Sequence, residues 1–360
     1  MGKEGNRQFR FDEINSIILH MLQYACKALN FDYFRANYYI QYIQIMKTIY
    51  CIGELLIDFV AIKQGNDLSK AKEFTKKAGG APANVACAIS KLGGKGQFIG
   101  AVGNDPFGTY LLNVLKENRV DISLAQRSKT FTTMAFVSLA EDGERDFVFS
   151  RGADKKLKYD SKLKKQLKGN IVHFGAATGF LGGGLEEAYD RYIFDAITQN
   201  AFISFDPNFR GDLWKGEEEC FIKKCLRFIG KSQLCKFSNE EIQLITGEPD
   251  IEKACNIVHE LGCPIICVTL GGEGTLVSTV DKKTTVKSIE VTPLDTTGAG
   301  DAFIGCLLYQ IANIGDPHLI LKDYDQLIEM VSFANRAGAI TTTGYGAIPS
   351  LPEHDAVFKS

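Results

Sequence analysis

Strong charge of either sign is the first thing this sequence does without. Its 41 lysines and arginines against 43 aspartates and glutamates leave a formal charge of −2, dispersed and with no basic block. Nucleic acid and anionic membranes are therefore disfavoured as partners. No uninterrupted apolar stretch approaches the roughly 18 residues a membrane span needs, and the N-terminus lacks the charged-then-apolar layout of a signal peptide. The expectation is a cytoplasmic protein. None of the ten cysteines stands in a Cys-x-x-Cys pair or at a matching His spacing. Several lie inside apolar runs, as Cys267 does between Ile266 and Val268, and read as reduced core thiols rather than metal ligands or disulfides. Two nucleotide signatures are also missing: Gly-x-x-x-x-Gly-Lys-Ser/Thr, and a strand-linked Gly-x-Gly-x-x-Gly with an acidic residue about 20 positions later. Both a P-loop NTPase and a dinucleotide dehydrogenase are disfavoured by that.

What the sequence has is one organising stretch, Asp295-Thr296-Thr297-Gly298-Ala299-Gly300-Asp301. A β-branched run at 284–291 precedes it, and Phe303, Leu307, Leu308 and Ile311 follow at helical spacing. Strand, small-residue turn and helix start leave backbone N–H groups of Gly298, Ala299 and Gly300 open to an anion at the positive end of a helix. Asp301 in the first helical turn can take a proton from an attacking hydroxyl, or can simply favour the helix terminus. Upstream, Gly79 and Gly80 allow close backbone approach. Asn84, placed at a helix start by the Val85, Ile89, Leu92 spacing, can meet a polyol or cap that helix. The run 49–57 reads as one strand ending in Asp58, at the edge where open α/β sheets bind ligands.

From residue 170 the pattern is regular, with strands at 171–174, 202–206 and 234–237 and helices at 185–200 and 221–229. That implies βαβ units and a parallel sheet covered on both faces. Arg210, after the second of these strands, can fork onto a substrate oxygen or phosphate, or pair with Asp206 or Asp212. Glu141-Asp142-Gly143-Glu144 between β-spaced runs is a hairpin signal. The turn 271–274 lets backbone reach a nucleotide.

Two of these blocks, Asp295-Thr296-Thr297-Gly298-Ala299-Gly300-Asp301 and Gly79-Gly80-Ala81-Pro82-Ala83-Asn84-Val85-Ala86, resemble the C-terminal and N-terminal signatures of the ribokinase-like (PfkB) sugar kinases. The resemblance runs from about residue 50 to the C-terminus, and Ile57-Asp58 with Asp206-Pro207-Asn208-Phe209-Arg210 looks most like the fructokinases. It implies a three-layer α/β sandwich with a central, mostly parallel sheet and a small β lid, formed from about 61–77 and 130–150, that excludes water and in many members joins two subunits as a homodimer. It implies an ATP-dependent phosphotransfer to fructose with Asp301 as base, and with Asp58, Gly79, Gly80, Asn84 and Arg210 around the sugar. Thr269, Gly271, Gly274 and Asn335 fall on the nucleotide side. Glu241 matches the acidic residue that acts on Mg²⁺ through water, although Ser238 stands where many members have Asn. Asp295 and Thr297 match a monovalent-cation (K⁺) site. Ribose, 2-keto-3-deoxygluconate and nucleosides remain rival acceptors, and a non-catalytic sugar-binding member is the rival of a different class. Residues 1–48 lie outside the resemblance and read as an appendage, with 49–352 the kinase domain and 353–360 a tail.

Overall fold

The computed structural model describes residues 46–63, 65, 67–139 and 145–359. The expectations for the N-terminal appendage and for the hairpin tip at 141–144 fall outside them. The chain enters on β1 (Thr48–Ile52), then runs β2 (Leu56–Ala61), β3 (Phe74–Gly79), α1 (Ala81–Lys91) and β4 (Lys95–Ile99). β5 (Ala101–Gly103), α2 (Pro106–Glu117), β6 (Gln126–Ser128), β7 (Met134–Leu139) and β8 (Arg145–Ser150) follow. The regular part is β9 (Ile171–Gly175), α3 (Gly184–Thr198), β10 (Phe202–Asp206), α4 (Glu218–Ile229), β11 (Leu234–Ser238), α5 (Asn239–Thr246), α6 (Ile251–Glu260) and β12 (Ile265–Thr269). It closes with β13 (Thr275–Ser278), β14 (Lys283–Val286), α7 (Ala299–Ala312) and α8 (Tyr324–Thr341).

Eight strands form the main sheet in the order β14-β13-β12-β11-β10-β9-β1-β4. Pairing is parallel from β12 to β4 and antiparallel at β13 and β14. Strand parity explains why this sheet reads as unbroken apolar runs. Ile49, Cys51, Ile171, Phe202, Leu234 and Ile265 pack with α1, α7 and α8, while Tyr50, Ile52, Val172, Ile203, Cys235 and Ile266 pack on the other face with α3, α4 and α6. Both faces are dry, and each such side chain contributes on the order of 1.5–3 kcal/mol by leaving water.

The chain leaves β1 to build β4 on one side and returns to build β9 on the other, so the order reverses between β1 and β9. Ligands of open α/β sheets bind outside the strand ends at such a point. Here the Tyr189 hydroxyl of α3 reaches the carbonyl oxygens of Ile52 (2.7 Å) and Gly175 (2.5 Å), holding the two strand ends at a fixed separation.

A second sheet, β3-β2-β7-β8, stands apart. Phe59 stacks on Phe136 at 5.1 Å and meets Phe107 of α2 edge-on at 5.7 Å. Asp105 caps α2 through Gly108 N–H and also accepts from the Thr132 N–H and hydroxyl, fastening the entry to β7.

Four expectations change. The apolar run 49–57 is two strands, because the backbone breaks at Gly53 (φ +153°) and β2 turns into the second sheet. Asp58 therefore lies within β2, in register with Lys77 and Ala135, and not at a main-sheet strand end. The strand expected at 284–291 stops at Val286, its last buried residue; Ile289 and Val291 are exposed. The segment read as a tail holds a short helix, His354–Phe358, with Val357 buried and Phe358 against Phe333 at 4.9 Å.

Candidate active site

Helix α7 starts on the main sheet's ligand-binding edge because Gly298 takes the left-handed conformation (φ +83°). Any Cβ there would come within 2.5 Å of Ala347 Cβ, so only glycine makes this entry. Of the turn's amides, Ala299 N–H donates to Thr296 O at 3.3 Å. That amide is engaged within the protein, a correction to its expected place in an anion hole. The N–H groups of Gly298 and Gly300 meet no protein acceptor among the described residues, so an anion at the helix terminus can take them.

Asp301 follows in the first turn, 8% exposed, and its Oδ2 accepts from Asn84 Nδ2 at 2.8 Å. Asn84 is not at a helix start, as its spacing implied. Pro82 seeds α1 from Ala81, so Asn84 sits in the fourth helical position and its amide turns toward α7 instead of capping its own helix. Burial pushes the Asp301 carboxyl from the ordinary 3.8 to about 6; the Asn84 bond, Lys236 and Arg210 oppose the rise and Asp206 adds to it.

Lys236 and Glu54 were not singled out in the sequence, yet both belong to this edge. Lys236 in β11 is paired to Asp206 at the end of β10, at 3.1 Å. Asp206 thus takes Lys236 as its partner and not Arg210. Burial works to lower the ammonium pKa, but Asp206, Glu241 and Asp301 together outweigh it and raise it. The signal for Lys236 was its place in Leu234-Cys235-Lys236-Phe237, since a charge inside a doubly covered strand is rare unless paired. Glu54 follows the break at Gly53 and is buried. It accepts from Ala81 N–H (3.1 Å) and the Thr178 hydroxyl (3.2 Å), tying the start of α1 to the sheet. Burial pushes its carboxyl up to about 7.

Arg210 is exposed, with Nη1 on Phe209 O at 3.0 Å and Nη2 on Asn208 Oδ1 at 3.4 Å. Among the described residues it has no ion-pair partner, neither Asp206 nor Asp212. A Cβ at Gly79 would lie 2.0 Å from Asp58 Oδ2, so the Asp58 carboxylate sits against this glycine, and Gly80 (φ +114°) begins α1.

Glu241 is buried in a capping box. Its Oε2 accepts from Ser238 N–H (2.7 Å), the Ser238 hydroxyl accepts from Glu241 N–H (3.2 Å), and Oε1 also takes Phe209 N–H (2.8 Å). Ser-x-x-Glu is itself the capping-box signature. Burial raises this carboxyl pKa and Lys236 opposes the rise.

On the nucleotide side, Thr269 ends β12 with its hydroxyl on Phe237 O at 3.2 Å. Gly271 (φ +59°) and Gly274 (φ +107°) shape the turn into β13, where a Cβ on Gly274 would strike Val286 O at 2.0 Å. Asn335 is buried and committed: it accepts from the Thr275 hydroxyl (2.6 Å) and donates to Val286 O (2.8 Å) and Lys287 O (3.4 Å). It joins α8 to β13 and β14. Asp295 Oδ1 accepts from the Thr297 N–H (2.9 Å) and hydroxyl (2.6 Å), and Oδ2 from Gly346 N–H (2.8 Å). Burial pushes this carboxyl up, but those bonds prevail and hold it below the usual range. Among the described residues no three acidic, His or Cys side chains cluster as a metal would need.

Free amides and cations gathered round one carboxylate suit a phosphate brought up to an acceptor hydroxyl, and the sheet that carries them is that of the ribokinase-like small-molecule kinases. The family description "pfkB family carbohydrate kinase" matches residues 46–354. The chain belongs to that family. It is 40% identical over 314 residues to fructokinase-1 of Zea mays, covering 85% of this chain and 95% of that protein. Among solved structures it resembles the fructokinase of Vibrio cholerae O395 in its fructose-, ADP- and calcium-bound form, with TM-score 0.75, 31% identity, and 87% and 98% of the two chains covered. It also resembles the ATP-bound fructokinase of Xylella fastidiosa, with TM-score 0.77, 30% identity, and 87% and 97% covered.

Proposed function

We propose that this carbohydrate kinase transfers the terminal phosphoryl group of ATP to the primary hydroxyl of fructose, giving fructose 6-phosphate and ADP. The observation that carries the reading is Asp301 itself: a buried carboxylate, fixed by Asn84, in the same helical turn as unengaged amides. The sugar hydroxyl gives its proton to an Asp301 oxygen as its own oxygen bonds to phosphorus. The bond from that phosphorus to the bridging oxygen breaks, and ADP leaves with the electron pair. Gly298 and Gly300 amides meet the charge on the phosphoryl, so that most of the catalysis is positioning and electrostatics. Arg210 adds a charge whose field already favours ionised Asp301.

Glu241 fits a water-mediated Mg²⁺ contact, because each of its oxygens accepts one amide and keeps a second lone pair. Bound there, the ion would neutralise charge on the nucleotide phosphates. Asp295 Oδ1 is taken up by Thr297, while Oδ2 accepts only Gly346 N–H and keeps a second lone pair, so this carboxylate braces the bend and leaves one oxygen for a monovalent cation. Asp58 and the second sheet close over the sugar in this reading. That sheet's half-exposed Val148, on the strand face opposite the stacked Phe147 and Phe149, gives it an apolar point for a second subunit. A cytoplasmic location agrees with nine free cysteines among the described residues, and no described helix is long and apolar enough to cross a membrane.

ADP release with ATP and a panel of fructose, ribose, 2-keto-3-deoxygluconate and a nucleoside tests the reading. Fructose is expected to give the highest kcat/KM. A higher value for another acceptor overturns the choice of sugar, and no release with any acceptor overturns the enzyme. The pH profile is a separate check. A base must be ionised, so kcat/KM is expected to fall about tenfold per pH unit below about 6, where burial has moved Asp301. A limb near the ordinary carboxylate value would refute Asp301 as the base.

A further inference from the structure

Lys236 is costly to keep where it is. Its side chain is 7% exposed, in a central strand between Cys235 and Phe237, which are wholly buried. It pairs with Asp206 of β10, at 3.1 Å to Oδ2 and 3.4 Å to Oδ1. An apolar pair of similar volume would hold the two strands as well or better. What the pair does provide is a charge at one place. Strand parity turns Lys236 to the face that carries α7, and a Cβ built on Gly300 would lie 3.0 Å from its Nζ. The ammonium therefore lies beside Gly300 in the first turn of α7, where a side chain at that position would crowd it.

The structure assigns Lys236 to the transfer step: its ammonium, anchored on Asp206, bonds an oxygen of the phosphoryl group in flight and completes with the Gly298 and Gly300 amides the hole that stabilises it. This rests on the phosphotransfer reading above and adds a residue to it. Two backbone dipoles do not serve three equatorial oxygens whose charge grows in the transition state, and a full positive charge in a dry site stabilises them further. An ammonium has three donors, and Asp206 leaves at least one of them for the phosphoryl. The groups facing Lys236 are consistent with a permanent cation. Asp206 from β10, Glu241 from α5 and Asp301 from α7 all favour its charge, and His173 of β9 is held neutral, at about 3, by burial and by Lys236 itself. The same ammonium favours ionised Asp301, against Asp206, beside Asn84 and Arg210.

Lys236→Met in the full chain tests this, with Asp206→Asn/Lys236→Met as a second variant that leaves no unpaired buried charge. In both, kcat is expected to fall ten- to a hundredfold while KM for fructose moves less than about threefold. The acid limb of kcat/KM moves to higher pH in Lys236→Met only, since the double variant also removes the charge of Asp206, which raises the Asp301 pKa more than Lys236 lowers it. Calorimetry adds a reading without turnover: the complex of ADP, Mg²⁺, aluminium fluoride and fructose weakens by a similar factor, while ADP alone binds as before. A lower melting temperature with kcat, acid limb and aluminium fluoride binding all unchanged would make Lys236 a structural partner of Asp206 and overturn the assignment. Loss of turnover in Asp301→Asn alongside full activity in the Lys236 variants sinks only this inference; full activity in Asp301→Asn sinks the reading beneath it.

Discussion

Asp301→Asn is expected to lower kcat by on the order of 10²–10⁴ while fructose and ATP still bind and the fold becomes no less stable. Asn is the same size, and its carbonyl oxygen can still accept the 2.8 Å bond from Asn84, so the helix start keeps its geometry. What is lost is the lone pair that takes the proton. The stability half of the prediction follows from the sign of the shift. Folding raises the Asp301 pKa from 3.8 to about 6, so the folded chain binds this proton more tightly than the unfolded chain does. The native state is favoured below about pH 4 and loses that advantage as pH rises through 6. At pH 7.5 the ionised carboxylate costs on the order of 3 kcal/mol. A neutral amide removes most of that cost, less the attraction of Lys236 and Arg210 that goes with it. The measurement is a melting curve beside steady-state kinetics at pH 7.5, with midpoint unchanged or raised and turnover nearly abolished. Near-normal turnover removes Asp301 from the role of base, and a large fall in the midpoint would show a structural carboxylate.

That opposition of stability and chemistry marks the part of the site that could be read in the chain. A carboxylate one residue after a glycine turn, ahead of an apolar helical run, was visible as a candidate base because helix start, anion hole and acid are all local in sequence. So was the parallel sheet, since strands dry on both faces leave apolar runs such as Ile171 to Phe174 at regular intervals. The misreadings lie where a local pattern met a distant constraint. An apolar run does not disclose that its second half, Leu56–Ala61, joins another sheet. Asn84 has the right chemistry for a cap, but Pro82 starts the helix earlier and gives the amide to a residue 217 positions away. Asn335 likewise spends its amide on partners 48 to 60 positions away, Thr275, Val286 and Lys287, which no local pattern discloses. Lys236 was the hardest to see, because a lone lysine in a buried strand acquires meaning only when the next strand brings Asp206 to it.

Asp206→Ala is therefore expected to be the most damaging single change to stability in this region, on the order of 3–5 kcal/mol. Asp206 is fully buried, and removing it strands the Lys236 ammonium in a dry layer beside two carboxylates, Glu241 and Asp301, that are themselves committed to hydrogen bonds. The cost is that of a buried ammonium left without its contact partner and not the worth of the pair. The double variant Asp206→Asn/Lys236→Met separates these quantities, because it removes both charges together and should recover most of the lost stability in chemical denaturation. If the single and double variants are equally unstable, the loss comes from disturbed packing at the end of β10 and the ion pair is not what holds this edge. If the double variant recovers stability and still turns over slowly, the pair is retained for the charge it delivers beside Gly300. A neutral pair would then fold as well without serving the reaction, which would explain why a doubly covered strand carries a lysine at all.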